Sequence, residues 1–330
     1  MRETRKHAAI GPNDGEPQPC NSTIYPERTN VSHQPLKIVI GIATAGRREQ
    51  LALTLQQLAG QTLPPTKVLV CPAAPEDFDD SALPDVGAPI LRVMGSRGSC
   101  AQRNAMFAHA AACDVLLFID DDYYPAVDYL ERLAEVFVRS ADVAIVTSNP
   151  VYDGANGPGL THEFAVEALR RRGNQITSTE PSELVDTYGG YGCNLSVRLS
   201  TVFAHNLRFD ENLPLYGWLE DIDFSRRVAA HGRVVACHSL YGVHLGTKRG
   251  KSSGVRLGYS QVANPVYMMR KGSVSSAYAL NQILRNVLKN AARLFNAEPW
   301  VDRRGRSKGN LMALRDLLQG RADPRRILDL

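Results

Sequence analysis

Asp120, Asp121 and Asp122 follow directly on the apolar run Val115-Leu-Leu-Phe-Ile119. A run of that composition reads as a buried strand, which puts the acids at its carboxyl end, the edge of an open α/β sheet where ligands bind. Adjacent carboxylates repel and raise one another's pKa, and a hard divalent cation with diphosphate oxygens relieves that cost. An acidic solvated turn is the plainer reading; the strand in front of the triplet argues against it. A second acidic group, Glu220, Asp221 and Asp223, opens a helix-like segment after Gly217. There, acids also complement the helix macrodipole. Together the two groups can divide a group transfer, one holding a metal-bound diphosphate while the other takes a proton from an incoming hydroxyl.

Three further features carry chemistry. His244 follows another short apolar stretch, and a neutral imidazole can complete a carboxylate cation site; a buried, hydrogen-bonded histidine is the alternative. Arg103, near the start of a helix, can favour an anionic group through its guanidinium and the local amide dipoles, unless it is simply a helix-surface arginine. Gly246-Thr-Lys-Arg-Gly250-Lys251-Ser252 invites a P-loop reading but is one residue too short, and Ser253-Gly254 is a poor continuation into the helix such a loop must enter. A basic loop closing over a diphosphate, with Lys248, Arg249 and Lys251 offsetting its charge, competes there with a merely solvated one.

These residues need a scaffold. Lys37–Ala43 reads as a buried strand, followed by the turn Thr44-Ala-Gly-Arg47 and a helix with Leu51, Leu55 and Leu58 at helical spacing, ended by Gly60. Strands at Lys67–Cys71, Ile90–Met94, Val115–Ile119 and Val143–Thr147 alternate with helices, one N-capped by Ser99 and one over Val127–Val138. The pattern predicts an open, doubly wound α/β sheet. Beyond Pro150 the text turns irregular and rich in Gly and Tyr, then returns to a helix over Leu219–His231 and a strand over Arg233–Cys237.

In sequential order these landmarks resemble a family 2 glycosyltransferase of the bacterial exopolysaccharide or cell-surface glycan type, which implies the GT-A fold, a Rossmann-like open mixed sheet flanked by helices, here with a C-terminal helical extension. Asp120-Asp121-Asp122 resembles the family's D-x-D element, Glu220-Asp221 its E-D element, Ala43–Arg47 its nucleotide loop, and Arg97–Asn104 the helix carrying its Arg-Asn pair. Gly189–Arg198 resembles the loop before the acceptor site. The resemblance implies Asp221 as general base, and Asp122 with His244 on Mn²⁺ or Mg²⁺. It also implies Thr44, Arg47, Arg103, Asn104, Asp120, Asp121, Glu220 and Lys251 at the donor. The implied reaction is inverting transfer of one sugar from a nucleotide-diphosphate-sugar to a hydroxyl of a glycan or lipid-linked saccharide. Polymerisation is disfavoured because no Q-x-x-R-W element is present. The second strand ends at Cys71-Pro72 without the acid that often reads the nucleobase, leaving the nucleotide open. Runners-up are a sugar nucleotidyltransferase and a non-catalytic saccharide- or nucleotide-binding module.

Composition sets the outer bounds. The chain has 330 residues, 44% of them hydrophobic and 22% charged, which excludes a disordered, collagenous or disulfide-framework protein. The net charge of +4 is too small to imply a nucleic-acid partner. It hides an asymmetry: Met268–Leu330 carries 13 Lys/Arg against 5 Asp/Glu, so the rest is acidic. Six scattered cysteines without a C-x-x-C pair read as reduced core thiols of a cytoplasmic protein. The expected organisation is a disordered leader over 1–35 and a catalytic domain over 36–265, with a nucleotide half at 36–150 and an acceptor half at 151–265. A basic amphipathic helical extension over 266–330 follows. Leu280, Leu284, Val287 and Leu288 make an apolar stripe in that extension. It fits packing on the core or peripheral contact with an anionic membrane, at the inner face of the cell membrane.

Overall fold

The computed structural model describes residues 36–173, 183–248 and 253–330. The expected leader and Lys251 lie outside the described residues. The first half runs β1 (Ile38–Thr44), α1 (Arg48–Leu58), β2 (Lys67–Pro72), β3 (Ile90–Arg92), α2 (Ser99–His109), β4 (Val115–Asp120), β5 (Tyr123–Pro125), α3 (Tyr129–Arg139) and β6 (Val143–Thr147). The second continues with β7 (Tyr152–Asp153), α4 (His162–Gly173), β8 (Leu184–Asp186), β9 (Asn194–Arg198), α5 (Leu199–Ala204), α6 (Glu220–Val228), β10 (Arg233–Cys237) and β11 (Gly242–His244). Three helices close the chain: α7 (Gly254–Lys271), α8 (Ser276–Ala292) and α9 (Arg303–Leu318).

The main sheet has the order β3-β2-β1-β4-β9-β6-β10-β8. Strands β3, β2, β1 and β4 pair in parallel, as their buried, β-branched composition predicts. The antiparallel members are those the expected mixed sheet requires: β9 enters between β4 and β6 antiparallel to both, and β8 closes the far edge antiparallel to β10. The sheet is mixed. Asn194–Arg198 looks polar in sequence, yet Asn194 and Ser196 are fully buried because Asn194 bonds Thr147 and Ser148 and Ser196 donates to the Val146 carbonyl. Satisfied polar groups can occupy a core strand.

Apolar clusters cover both faces of this sheet. On one side α1 and α3 bury Leu51, Leu55, Leu130, Leu133 and Phe137. On the other, α2, α5 and α6 bury Met106, Phe107, Val202, Phe224 and Val228. Each such side chain contributes about 1.5–3 kcal/mol through removal from water. Local ends differ from expectation. Gly98, at φ 133°, occupies the N-cap position of α2 in place of Ser99, and α1 stops at Leu58 with Ala59 as its C-cap.

Helix α7 runs through position 265/266, where the sequence suggests the catalytic domain ends. It starts at Gly254 with the Ser253 side chain as its N-cap, a correction to the expectation that Ser253-Gly254 continues poorly into a helix, and its glycines are its packing surface. A Cβ at Gly258 would lie 2.1 Å from the Arg306 carbonyl of α9, and one at Gly309 would lie 2.1 Å from the Val255 carbonyl of α7. The two helices therefore cross with their backbones nearly in contact. Asn264, Tyr267 and Lys271 of α7 then bond Trp218, Asp210 and Asp223, tying this pair to the start of α6. Among the described residues the free cysteines are Cys71, Cys100, Cys193 and Cys237, all buried, and the half-buried Cys113.

Candidate active site

Strand β4 delivers Asp120 at its carboxyl end, and the three acids then diverge. Asp121 is fully buried. Its carboxylate accepts the Thr44 hydroxyl at 2.6 Å and pairs with Arg47 at 2.8 Å. Burial raises the Asp121 carboxyl above the ordinary carboxylate range, against the pull of the Arg47 charge. Thr44, Arg47 and Asp121, all expected at the donor, thus engage one another at the carboxyl edge of the sheet. Together they brace the turn that aims Asp122.

Asp120 and Asp122 point the other way, toward His244. The ring Nε2 lies 3.4 Å from Asp122 Oδ1 and 3.8 Å from Asp120 Oδ2. Ligand atoms from these three residues all lie within 4.8 Å of one another. The second Asp122 oxygen accepts the Thr247 amide at 2.6 Å, while its buried Oδ1 has no hydrogen-bond partner. Burial would raise the Asp122 carboxyl, but the His244 ring and the Arg47 guanidinium hold it well below the ordinary carboxylate range. An ionised carboxylate, an orphaned buried oxygen and an imidazole fit a divalent cation.

Asp153 completes this arrangement, and sequence reading misses it. Its Oδ1 lies 2.9 Å from His244 Nδ1, so a proton on Nδ1 leaves Nε2 facing the two aspartates. Tyr191 donates to Asp153 Oδ2 at 2.8 Å. Two glycines permit this meeting of β7 and β11: a Cβ on Gly154 would sit 2.0 Å from the Leu245 carbonyl, and Gly246 has φ +66° with Gly154 backbone 2.2 Å from its missing Cβ. Tyr152-Asp153-Gly154 before a second glycine was the available signal, and it is weak. Asp77 was missed too. It accepts the Gly46 and Ala74 amides and so shapes the β1–α1 turn.

Helix α6 presents the other acidic group. Glu220 pairs with Arg103 at 2.7 Å; Arg103 also reaches the Gly192 carbonyl at 3.0 Å and Asp120 at 3.4 Å. The Gly192 amide in turn donates to Asp221 Oδ2 at 2.9 Å, and the Ile222 amide to Oδ1 at 2.8 Å. Arg103 therefore joins the two acidic groups, reaching Glu220 from 117 residues away in sequence. Burial raises the Glu220 carboxyl to about 8, with Asp221 adding to the rise and Arg103 opposing it. Burial also raises Asp221, against the Gly192 and Ile222 amides. A carboxylate lifted toward neutrality is suited to accept a proton.

Asn104, expected at the donor, exchanges hydrogen bonds with the Phe209 backbone and donates to Glu211, so it pins the segment before α6.

Residues 35–256 match the model of "Glycosyltransferase like family 2", and the chain belongs to that family. It is a glycosyltransferase with the GT-A fold. The succinoglycan biosynthesis protein ExoM of Rhizobium meliloti (strain 1021) is 27% identical over 230 residues, covering 67% of this chain and 70% of that protein. Two solved structures share the fold. Staphylococcus aureus TarS 1–349 in complex with UDP-GlcNAc matches with TM-score 0.52 at 18% identity, over 88% of this chain and 83% of that one. The mannosyltransferase PcManGT from Pyrobaculum calidifontis in complex with GDP-Man and Mn²⁺ matches with TM-score 0.51 at 14% identity, over 86% and 87%.

Proposed function

We propose that the protein transfers one sugar, with inversion, from a nucleotide-diphosphate-sugar to a hydroxyl of a glycan or lipid-linked saccharide, with a divalent cation held by Asp120, Asp122 and His244. The observation that carries this reading is the Arg103–Gly192 link, which sets the Asp221 carboxylate and the cation cluster around one polar centre. When bound, Mn²⁺ or Mg²⁺ would neutralise charge on the departing diphosphate. Asp221, braced by two backbone amides, takes the proton of the acceptor hydroxyl as it attacks the anomeric carbon. Glu220 and Arg103 hold the start of α6 against the end of β4, keeping base and donor in register. Nucleotide sugars on TarS and PcManGT, and the polysaccharide role of ExoM, support the donor class and a glycan acceptor.

The test is a donor panel with Mn²⁺ or Mg²⁺, reading nucleoside-diphosphate release and product mass. Asp221→Asn is expected to lose about 10²–10⁴-fold in turnover while retaining donor binding. Turnover within a few-fold of wild type refutes the base assignment, and pyrophosphate release in place of nucleoside diphosphate refutes the transferase chemistry.

For location, the reading is a cytoplasmic enzyme that touches the inner face of an anionic membrane through α8. Leu280, Leu284 and Leu288 are 57%, 48% and 63% exposed along one side of that helix. The exposed Arg285 and Lys289 border them, matching anionic headgroups. No helix among the described residues is long and apolar enough to cross a membrane.

A further inference from the structure

Tyr191 and Gly192 lie between β8 and β9, and both backbone groups of each are engaged. The Tyr191 amide donates to Thr147 Oγ1 at 3.0 Å, and its carbonyl accepts the Asn194 amide at 2.9 Å. The Gly192 amide donates to Asp221 Oδ2 at 2.9 Å, and its carbonyl accepts Arg103 at 3.0 Å. The Tyr191 side chain turns to the opposite acidic group. Its hydroxyl donates to Asp153 Oδ2 at 2.8 Å, and its ring meets the His244 imidazole edge to face, with centroids 6.0 Å apart. Two consecutive residues therefore reach the support of the cation cluster and the candidate base.

We propose that Tyr191 is a positioning residue for the transfer: its hydroxyl, anchored on Asp153, steadies the Gly192 amide that aims the Asp221 carboxylate. The inference rests on the transferase reading and goes beyond it by naming a residue that acts on the base through its neighbour's backbone. Three observations support it. First, Gly192 lies directly against what it aims. It is buried, and a Cβ on it would stand 3.3 Å from Asp221 Oδ2 and 3.4 Å from Arg103 Nη2, so movement of this peptide passes straight to both side chains. Second, the preceding residues follow α6 closely. A Cβ on Gly189 would lie 2.7 Å from Ile222 Cδ1, and the Gly190 amide donates to Ser225 Oγ at 2.9 Å. Third, the hydroxyl has one distinct task. The Tyr191 ring packs against the apolar cluster that α1 and α3 cover, so phenylalanine keeps that packing and removes only the link to Asp153. Since reaction rates fall steeply when a reacting group is misplaced by about 1 Å, a tie of this kind matters to turnover more than to folding.

The experiment follows hydrogen exchange by mass spectrometry on the full chain in EDTA, reading the peptide that holds Gly192 and the one that opens α6. Tyr191→Phe keeps the backbone bonds of residue 191, so the expected result is local loosening: about three- to tenfold faster exchange in both peptides, with α3 and the melting temperature unchanged. Tyr191→Phe should add nothing at these peptides in an Asp153→Ala background, because the two residues act in series. Mn²⁺ affinity should stay at the wild-type value. With a donor from the panel, kcat should fall about tenfold while donor KM holds, a split that general damage to the site does not produce. Gly192→Ala leaves the Tyr191–Asp153 bond in place and presses a methyl toward Asp221, so it should lower kcat with the same unchanged Mn²⁺ affinity. Wild-type exchange at both peptides in folded Tyr191→Phe, or additive acceleration in the double variant, overturns the proposal. Faster exchange across the whole sheet overturns it in favour of general loosening. Unchanged kcat in folded Gly192→Ala overturns the step from Gly192 to the base. Absence of turnover by wild type with every donor strikes the transferase reading, while the exchange measurements in EDTA still decide whether Tyr191 holds Gly192 and the start of α6.

Discussion

Asp153 makes a sharp claim about the cation site, because it acts on it only through His244. Its carboxylate lies 2.9 Å from His244 Nδ1, and the imidazole is 7% exposed, so water cannot replace this partner cheaply. Burial would raise the Asp153 carboxyl, but the His244 ring and the Ala155 amide outweigh it, keeping the group ionised at neutral pH. Loss of such a partner typically weakens metal binding about 10–100-fold, or roughly 1.4–2.7 kcal/mol. The structure divides that range. Asparagine keeps an oxygen that accepts the Nδ1 proton and removes only the charge, so Asp153→Asn is expected near the tenfold end. Alanine also frees the ring to turn, so Asp153→Ala is expected near the hundredfold end. Tyr191→Phe removes the hydrogen bond to the other Asp153 oxygen and leaves His244 held, so it controls for general loosening of β7. The assay is calorimetric titration with Mn²⁺ at constant pH, with thermal melts to check folding. Wild-type affinity in folded Asp153→Ala would refute the idea that Asp153 sets the tautomer of a histidine ligand.

Other outcomes follow from packing and charge. Gly258→Ala puts a methyl 2.1 Å from the Arg306 backbone oxygen, which no side-chain rotation relieves, and should cost about 1–3 kcal/mol or more in denaturant melts. Gly60→Ala meets nothing within 4 Å and should be neutral or stabilising by about 0.4–1 kcal/mol. Burial would raise the Asp210 carboxyl, but Lys271 and Tyr267 bring it down to about 2. Because the folded pKa lies below the unfolded one, the resulting stability is present above about pH 4 and disappears as pH falls through about 2. Urea melts should show Asp210→Asn less stable than wild type by about 1–2 kcal/mol at pH 7, with the gap closing in acid. Leu284→Asp with Leu288→Asp should abolish sedimentation with phosphatidylglycerol vesicles, and full retention would remove α8 from the membrane surface.

The sequence by itself determined the parallel strands, the helices between them and the position of both acidic groups. Those signals are local: an apolar β-branched run buries wherever it lies, and acids that follow it fall at the sheet edge. Tertiary structure alone decided which carboxylates turn together. Asp121 and Asp122 are neighbours in the chain, yet one faces Thr44 inside and the other His244. Asp153 meets His244 across 91 residues, a pairing that no periodicity encodes. The antiparallel β9 hid behind polar residues satisfied only by partners on β6 and just beyond it, and α7 behind glycines that read as helix breakers until α9 packs against them. In each case the side chain's meaning depends on a group supplied from far along the chain. Local propensity fixes the elements, and long-range packing fixes what their side chains do.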